Sequence, residues 1–446
     1  MRRGIYVGIA ALMGLFACGR GPQAHYIAAS GDDGADGSLS HPWRSFSHRV
    51  VSGELLLRGG DTLRGTLRLD SCHDLTVGSY GDGFAVIAAG DSAGIVVYAG
   101  SRVALSDLRL VGSGRKTGNV HEGLSIVDCR EVVVRDVDVS GFQKAGMMIY
   151  GCFGLVAHGV RSHGNGASGI GVEGPPGKKG CVDIRLIDCH ADDNPGDPTN
   201  LTNHSGNGIV AGHCTRLLID SCTATGNGWD MPRIGNGPVG IWCYEADSVT
   251  IQHCIAYRNK TSPGAADGGG FDLDGGTTHS VIQYCLSYGN QGSGYCIFQY
   301  WGASPWHDNV IRYNVTENDG TVSDSRAGIY VWNASRDSLQ FYNCQVCNNT
   351  VYSAREAAVS YSETAERRGF VWSDNIFVGG DSLIRGLPGA DRFTGNDWWC
   401  LHRRGPGMNV DPGFPAYAGF TTLVSPAGLD TFSAYRTTLT GKGAKF

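Results

Sequence analysis

Charge is scarce in this chain of 446 residues: only 17% are Asp, Glu, Lys or Arg, and amphipathic helical patterning is almost absent. That combination argues against a helical bundle. The net charge of −6 carries no basic excess, which argues against a nucleic-acid partner and against binding to an anionic membrane surface. Beyond the first 18 residues no apolar run is long enough to span a bilayer. No Cys-x-x-Cys pair recurs at zinc-finger spacing, and Cys344 and Cys347 stand alone, so no metal is assigned to them. Glycine, at 68 residues, and cysteine, at 15, are what the chain has in quantity.

The first residues are a targeting segment. Arg2 and Arg3 precede an apolar stretch from Gly4 to Phe16, too short to cross a membrane. Leu15-Phe16-Ala17-Cys18 resembles the lipobox of bacterial lipoproteins, which implies cleavage before a lipidated Cys18 and a place in the cell envelope. Phe16 is bulkier than that family usually carries, so plain secretion stays open. Residues 19–25 read as a tether and 26–446 as one domain. Export leaves 14 cysteines in an oxidising compartment, where an even count suits disulfides. Their phase suggests stacked interior thiols instead: Cys222, Cys254 and Cys285 share one position of the repeat, and Cys129, Cys152 and Cys214 another.

That repeat begins near residue 94. Gly94, Gly123, Gly146, Gly169, Gly208, Gly240, Gly270, Gly294 and Gly328 each open a short strand, with Ala358 in the same role. Their separations never fall below 23 residues, as expected of a coil with insertions. The first residue after each glycine is large and apolar (Ile95, Leu124, Met147, Ile170, Ile209, Ile241, Phe271, Tyr295, Ile329), and so, mostly, is the third. A period of two places both inside, so the second and fourth must point outward. A second strand recurs in Val249–Ile251, Val281–Gln283 and Val310–Arg312. Asparagines follow in phase at 165, 194, 227, 259, 290 and 318, residues that tolerate the left-handed turn a corner needs.

These features give an all-β solenoid. The asparagine series resembles the ladder of parallel β-helices, and Tyr26–Asp32, His41–Arg44, Gly60–Thr62 and Gly78–Gly83 resemble the entry segment and first coils of extracellular members. The chain thus resembles the right-handed parallel β-helix, pectin-lyase-like superfamily of carbohydrate-active proteins over nearly its whole length. The resemblance implies a single-stranded β-helix, capped by a short helix over residues 42–52, with coils to about residue 385 and an irregular closure around Asp411–Phe414.

The outward ladder is where chemistry is expected. Trp242 and Tyr244, Asp272 and Asp274, Cys296 and Phe298, and Tyr330 and Trp332 occupy its successive coils, so two carboxylates lie between aromatic pairs suited to stacking on sugar rings. The Asp272 and Asp274 Cα atoms should lie roughly 6.5–7 Å apart, and neighbouring like charges push one pKa upward, as an acid–base pair requires. Gly268-Gly269-Gly270 and Gly275-Gly276 suggest bare backbone around the pair, open to close ligand approach. Glu245 and His213 are further candidate acids or bases. Gln299, Tyr300 and Trp301 join the four aromatics as candidate substrate ligands. Insertions at 190–207, 227–239, 260–269 and 319–327 should stack along one edge of a groove.

Clustered aspartates on this strand face resemble polygalacturonase-like hydrolases, although the Asn-Thr-Asp and Gly-His-Gly signatures of that group are missing. Related lyases abstract a proton with Lys or Arg, which the central outward positions lack; a loop residue such as Lys260 would have to serve. Glycoside hydrolysis by Asp272 and Asp274 as acid/base or nucleophile pair is therefore expected, with a lyase or epimerase as the alternative enzyme and a glycan-binding surface lipoprotein as the alternative without catalysis. No cofactor is required; calcium on the D-x-D pair is the alternative left open. The expected partner is a poly- or oligosaccharide, the expected state a monomer, and the only expected membrane contact the N-terminal lipid.

Overall fold

A computed structural model describes residues 23–401, apart from 177–179, 323–324, 363–365 and 381. The lipobox and Cys18, and the closure expected around Asp411–Phe414, lie outside the described residues. Strands within these bounds pair in parallel, coil upon coil, and no helix is present among them. The fold is a right-handed parallel β-helix.

One sheet of twelve strands runs from Leu67–Asp70 at one end to Ile384–Arg385 at the other and contains every glycine-led strand of the repeat. Its register is the one the periodicity requires. Ile95, Leu124, Met147, Ile170, Ile209, Ile241, Phe271, Tyr295 and Ile329 are successive Cα partners, all essentially inaccessible. The remaining strands form a sheet that bends round the other two faces; Ser101–Gly112, 12 residues long, spans the bend and pairs with both His73–Tyr80 and Ala85–Gly90. Leu105, Val134, Ala157, Leu186, Ile219, Ile251, Ile282, Ile311 and Val346 stack from that side. One continuous apolar core results, in which each coil is covered only by its neighbours.

The leading glycines have a steric cause. A Cβ on Gly94, Gly123, Gly240 or Gly270 would meet the carbonyl oxygen of the next coil's glycine at 2.7–2.8 Å. At these four positions a side chain would press on the neighbouring coil's backbone, so glycine lets the coils close to strand-pairing distance.

Corners carry ladders of polar groups. Each asparagine from 165 to 259 donates its backbone N–H to the side-chain Oδ1 of the ladder residue in the next coil: Asn165 to Asn194 (3.1 Å), Asn194 to Asn227 (3.0 Å), Asn227 to Asn259 (3.3 Å) and Asn259 to Asn290 (2.8 Å). The final member is not Asn318 but Asp319, whose Oδ1 accepts from Asn290 N–H and Nδ2–H, both at 2.8 Å. A second corner begins as thiols. Cys189 N–H donates to Cys222 Sγ and Cys222 N–H to Cys254 Sγ; from Cys285 onward the acceptors are Asn314, Asn349, Asn375 and Asn396. All 14 described cysteines are free thiols, 13 of them buried.

Two expectations for the N-terminal end are corrected. Ala24 and His25, assigned to the tether, already pair in strand with Glu54 and Leu55. Residues 42–52 form turns and a bridge rather than a helix. Pro42 restricts the preceding backbone, Asp33 accepts from the backbone of Arg44 and Ser45, and the Trp43 ring is sandwiched between His25 and His48 at 4.6 and 4.1 Å. These local bonds hold the segment flat across the end of the coil.

Candidate active site

Asp272 sits mid-strand in Gly269–Leu273, in register between Trp242 and Cys296 of the flanking coils. Asp274 follows where the strand ends, and its Oδ1 accepts from Gly275 N–H at 2.7 Å. Both side chains leave the outer face of the sheet, but that face is not open. The four insertions stack into a wall over it through backbone bonds: Asp230 N–H to Pro195 O (2.8 Å), Ala266 to Gly235 (2.8 Å), Gly268 to Pro238 (2.8 Å), Gly292 to Gly268 (2.9 Å) and Gly320 to Gly292 (2.7 Å). Arg115, from an earlier coil, pins the wall by bonding Gly196 O (2.9 Å) and the Asp230 carboxylate.

The wall changes the meaning of the outward ladder. Asp272 is 2% exposed, Trp242 4%, Phe298 6% and Cys296 and Gln299 fully buried, so these residues are not an open stacking platform. Trp242 donates its indole N–H to Asn207 Oδ1 (3.0 Å) and packs edge-on against His204 of the wall. Gln299 accepts from Gly276 N–H (3.2 Å) and donates to Ser304 O (2.9 Å), which makes it a loop fastener rather than a sugar ligand. The glycines around the pair are covered as well. A Cβ on Gly269 would meet Ser293 O at 2.8 Å, one on Gly275 the Tyr300 ring at 2.5 Å, and one on Gly276 the Glu245 carboxyl group at 2.6 Å. They admit neighbouring protein, not a ligand.

Other sequence-derived candidates do converge. Glu245 Oε1 accepts from Ser304 N–H (2.8 Å) and from the Tyr300 hydroxyl (3.3 Å), which places it beside the aspartates. Tyr244 packs over Gly212, donates to Glu173, and lies 5.4 Å from Trp242. His213 touches only the edge of this group, its ring 5.7 Å from that of Tyr244. Tyr330 and Trp332 are half-buried and flank Phe298 edge-on. Trp301 is 81% exposed on the loop opposite the wall. Lys260 is exposed.

Electrostatics mark both aspartates of the pair. Asp272 is held well above the usual carboxylate range, first by burial and then by the charges of Asp274 and Asp267. Asp274 is pushed up to about 7 by burial, against its bond from Gly275 and with the charges of Asp267 and Glu245. Among the described residues no cation is a cause of either shift. One Asp272 oxygen, Oδ1, is buried without a hydrogen-bond partner, a costly state for a carboxylate and a tolerable one for a neutral acid awaiting a ligand. Asp267, which caps Gly237 N–H at 2.7 Å, was missed in the sequence because it stands in a loop outside the strand register; its only signal was five residues' distance from Asp272. No three of these carboxylates bring oxygens within 4.8 Å of one another, so they do not form the close oxygen set that calcium favours.

The family described as "Right handed beta helix region" matches residues 187–366, the coils that carry this group. No curated protein matches the sequence. Among solved structures the chain is similar to a GH136 lacto-N-biosidase from Eubacterium ramulus, with a TM-score of 0.53 and 13% identity over 85% of this chain and 68% of that one. It is also similar to the Agl-KA catalytic domain, with a TM-score of 0.50 and 12% identity over 77% of this chain and 62% of that one. At such identities the likeness concerns the fold alone, a right-handed parallel β-helix.

Proposed function

We propose that the protein is a carbohydrate-active enzyme, a glycoside hydrolase that cleaves a poly- or oligosaccharide at Asp274, the partly exposed member of the pair. The carrying observation is the Asp272–Asp274 pair on the outer strand face, with Asp272 Oδ1 buried without a hydrogen-bond partner and Asp274 held near neutrality. Asp274 is the proton-transfer group, since a carboxyl with a pKa near working pH serves as both donor and acceptor. Asp267, held by Gly237 N–H, adds to the upward shift of both neighbours and so tunes the pair. Asp272 stays neutral beneath the wall, and its charge state is tied to that of Asp274. Trp301 supplies the exposed ring for a sugar face. A lacto-N-biosidase on the same fold supports the reading by analogy only. Lipidation at Cys18 and a place in the bacterial envelope are proposed on Leu15–Cys18 alone; Cys18→Ser should then leave the membrane fraction.

The test is product analysis on a polysaccharide and oligosaccharide panel. New reducing ends without the ultraviolet absorbance of an unsaturated sugar are expected, and Asp274→Asn should lower kcat by about 10²–10⁴-fold. An unsaturated product would replace hydrolysis by elimination. Saturable glycan binding without turnover would make the protein a binding module.

A further inference from the structure

A second cluster lies just past the acidic group, where the turn before strand Val281–Gln283 meets the start of strand Trp306–Arg312 in the next coil. His279, His307 and Asp308 each place one donor atom within 4.8 Å of the other two. Both imidazoles aim at one oxygen. His307 Nδ1 is 2.7 Å from Asp308 Oδ2, and His279 Nε2 is 3.8 Å from the same atom. The second separation is too long for a hydrogen bond, so His279 Nε2 faces that carboxylate oxygen without being bonded to it. Zinc–ligand bonds of about 2.1 Å in a tetrahedral site put donors about 3.4 Å apart. The two observed separations bracket that value.

Each of the three has an outer partner that fixes its orientation. His279 donates Nδ1–H to Asp247 Oδ1 at 2.8 Å, which leaves the lone pair on Nε2. Asp247 is in turn held by the hydroxyls of Thr278 (2.7 Å) and Ser248 (2.9 Å). Asn343 Nδ2–H occupies the other oxygen of Asp308 at 3.1 Å, so Oδ2 is the one presented. The His307 ring stacks on Tyr342, 4.8 Å away at 12°. A carboxylate behind a histidine and an amide behind a carboxylate are the outer-shell arrangement of metal sites, and the ligand set suits zinc-class divalent ions rather than calcium or magnesium.

We infer that His279, His307 and Asp308 form a binding site for one divalent transition-metal ion of the zinc class. The ion would join two consecutive coils. His279 lies five residues beyond Asp274, and His307 follows the loop whose Tyr300 and Ser304 hold Glu245. It therefore acts as a clip on the turn and loop that shape the acidic group, and it stands whether or not that group hydrolyses sugars.

The test is zinc titration of chelator-treated, tag-free protein by calorimetry, with Co²⁺ absorption as a second readout. One saturable site per chain is expected, with tetrahedral Co²⁺ bands. His279→Gln and His307→Gln should abolish binding, and Asp247→Asn should weaken it by about 10–100-fold. His279 and Asp308 are exposed and His307 is half-buried at the edge of the core, so the melting temperatures of the variants in chelator should stay within a few degrees of the parent. Absence of a saturable site would overturn the inference. So would unchanged binding in His279→Gln, or binding lost in Asp272→Asn/Asp274→Asn but kept in the histidine variants.

Discussion

Asp272 and Asp274 are maintained at a cost to stability that depends on pH, and the sign of that dependence is fixed. An unfolded aspartate titrates near 3.9, whereas in the fold burial pushes Asp274 up to about 7 and holds Asp272 well above the usual carboxylate range. Between these limits the native state binds more protons than the unfolded one, so stability falls as pH rises. The penalty is absent below about pH 4 and, for Asp274, complete above about pH 7. Asp272→Asn/Asp274→Asn should therefore melt at the parent's temperature near pH 4 and above it at pH 8. Melting curves at the two pH values check this; a double variant less stable at pH 8 would mean that the carboxylates are charged and partnered. The kinetic counterpart concerns Glu245, whose charge raises Asp274: Glu245→Gln should move the neutral limb of the pH–rate profile to lower pH.

Strands and ladders show why sequence resolved some features and not others. Leading glycines and buried alternation were legible because both follow from contact between adjacent coils, which repeats at every turn. What covers the outer face does not repeat. Period two assigns Trp242 and Asp272 to that face, but the wall that buries them comes from insertions whose stacking is written in backbone bonds. Asp267 was hidden for the same reason. At the ladder, Asp319 rather than Asn318 ends the series, since either carboxylate or amide oxygen can accept from the coil before. Ladder members are not interchangeable with apolar groups, however. Asn259 Oδ1 accepts from Asn227 Nδ2–H at 2.9 Å, and its own Nδ2–H donates to Ala224 O at 3.1 Å. Asn259→Ala leaves those buried groups without partners and should cost about 2–4 kcal/mol, read as a lower denaturant midpoint. A midpoint within error of the parent would mean that water replaces the amide.

For the molecule as a whole, a solenoid separates stability from shape. The core is a stack of nearest-neighbour interfaces, while the groove is made by loops that contribute little to it. Arg115 shows the separation, because it joins regions 81 and 115 residues apart, at Gly196 and Asp230, without entering the core. Its side chain is 11% exposed, and its partner Asp230 also receives Lys116 at 2.5 Å. Removing the guanidinium leaves Lys116 on Asp230 but frees Gly196 O and the base of the wall. Local opening then becomes easier while the coil is untouched. Arg115→Ala should speed proteolysis within residues 195–239 several-fold and raise KM for the glycan, with the main melting transition displaced by no more than a few degrees. Limited proteolysis followed by mass mapping reads the first effect, and calorimetry the second. If the whole transition collapsed with the arginine, wall and coil would be one cooperative unit, and the groove could not be tuned by its loops independently of the fold beneath.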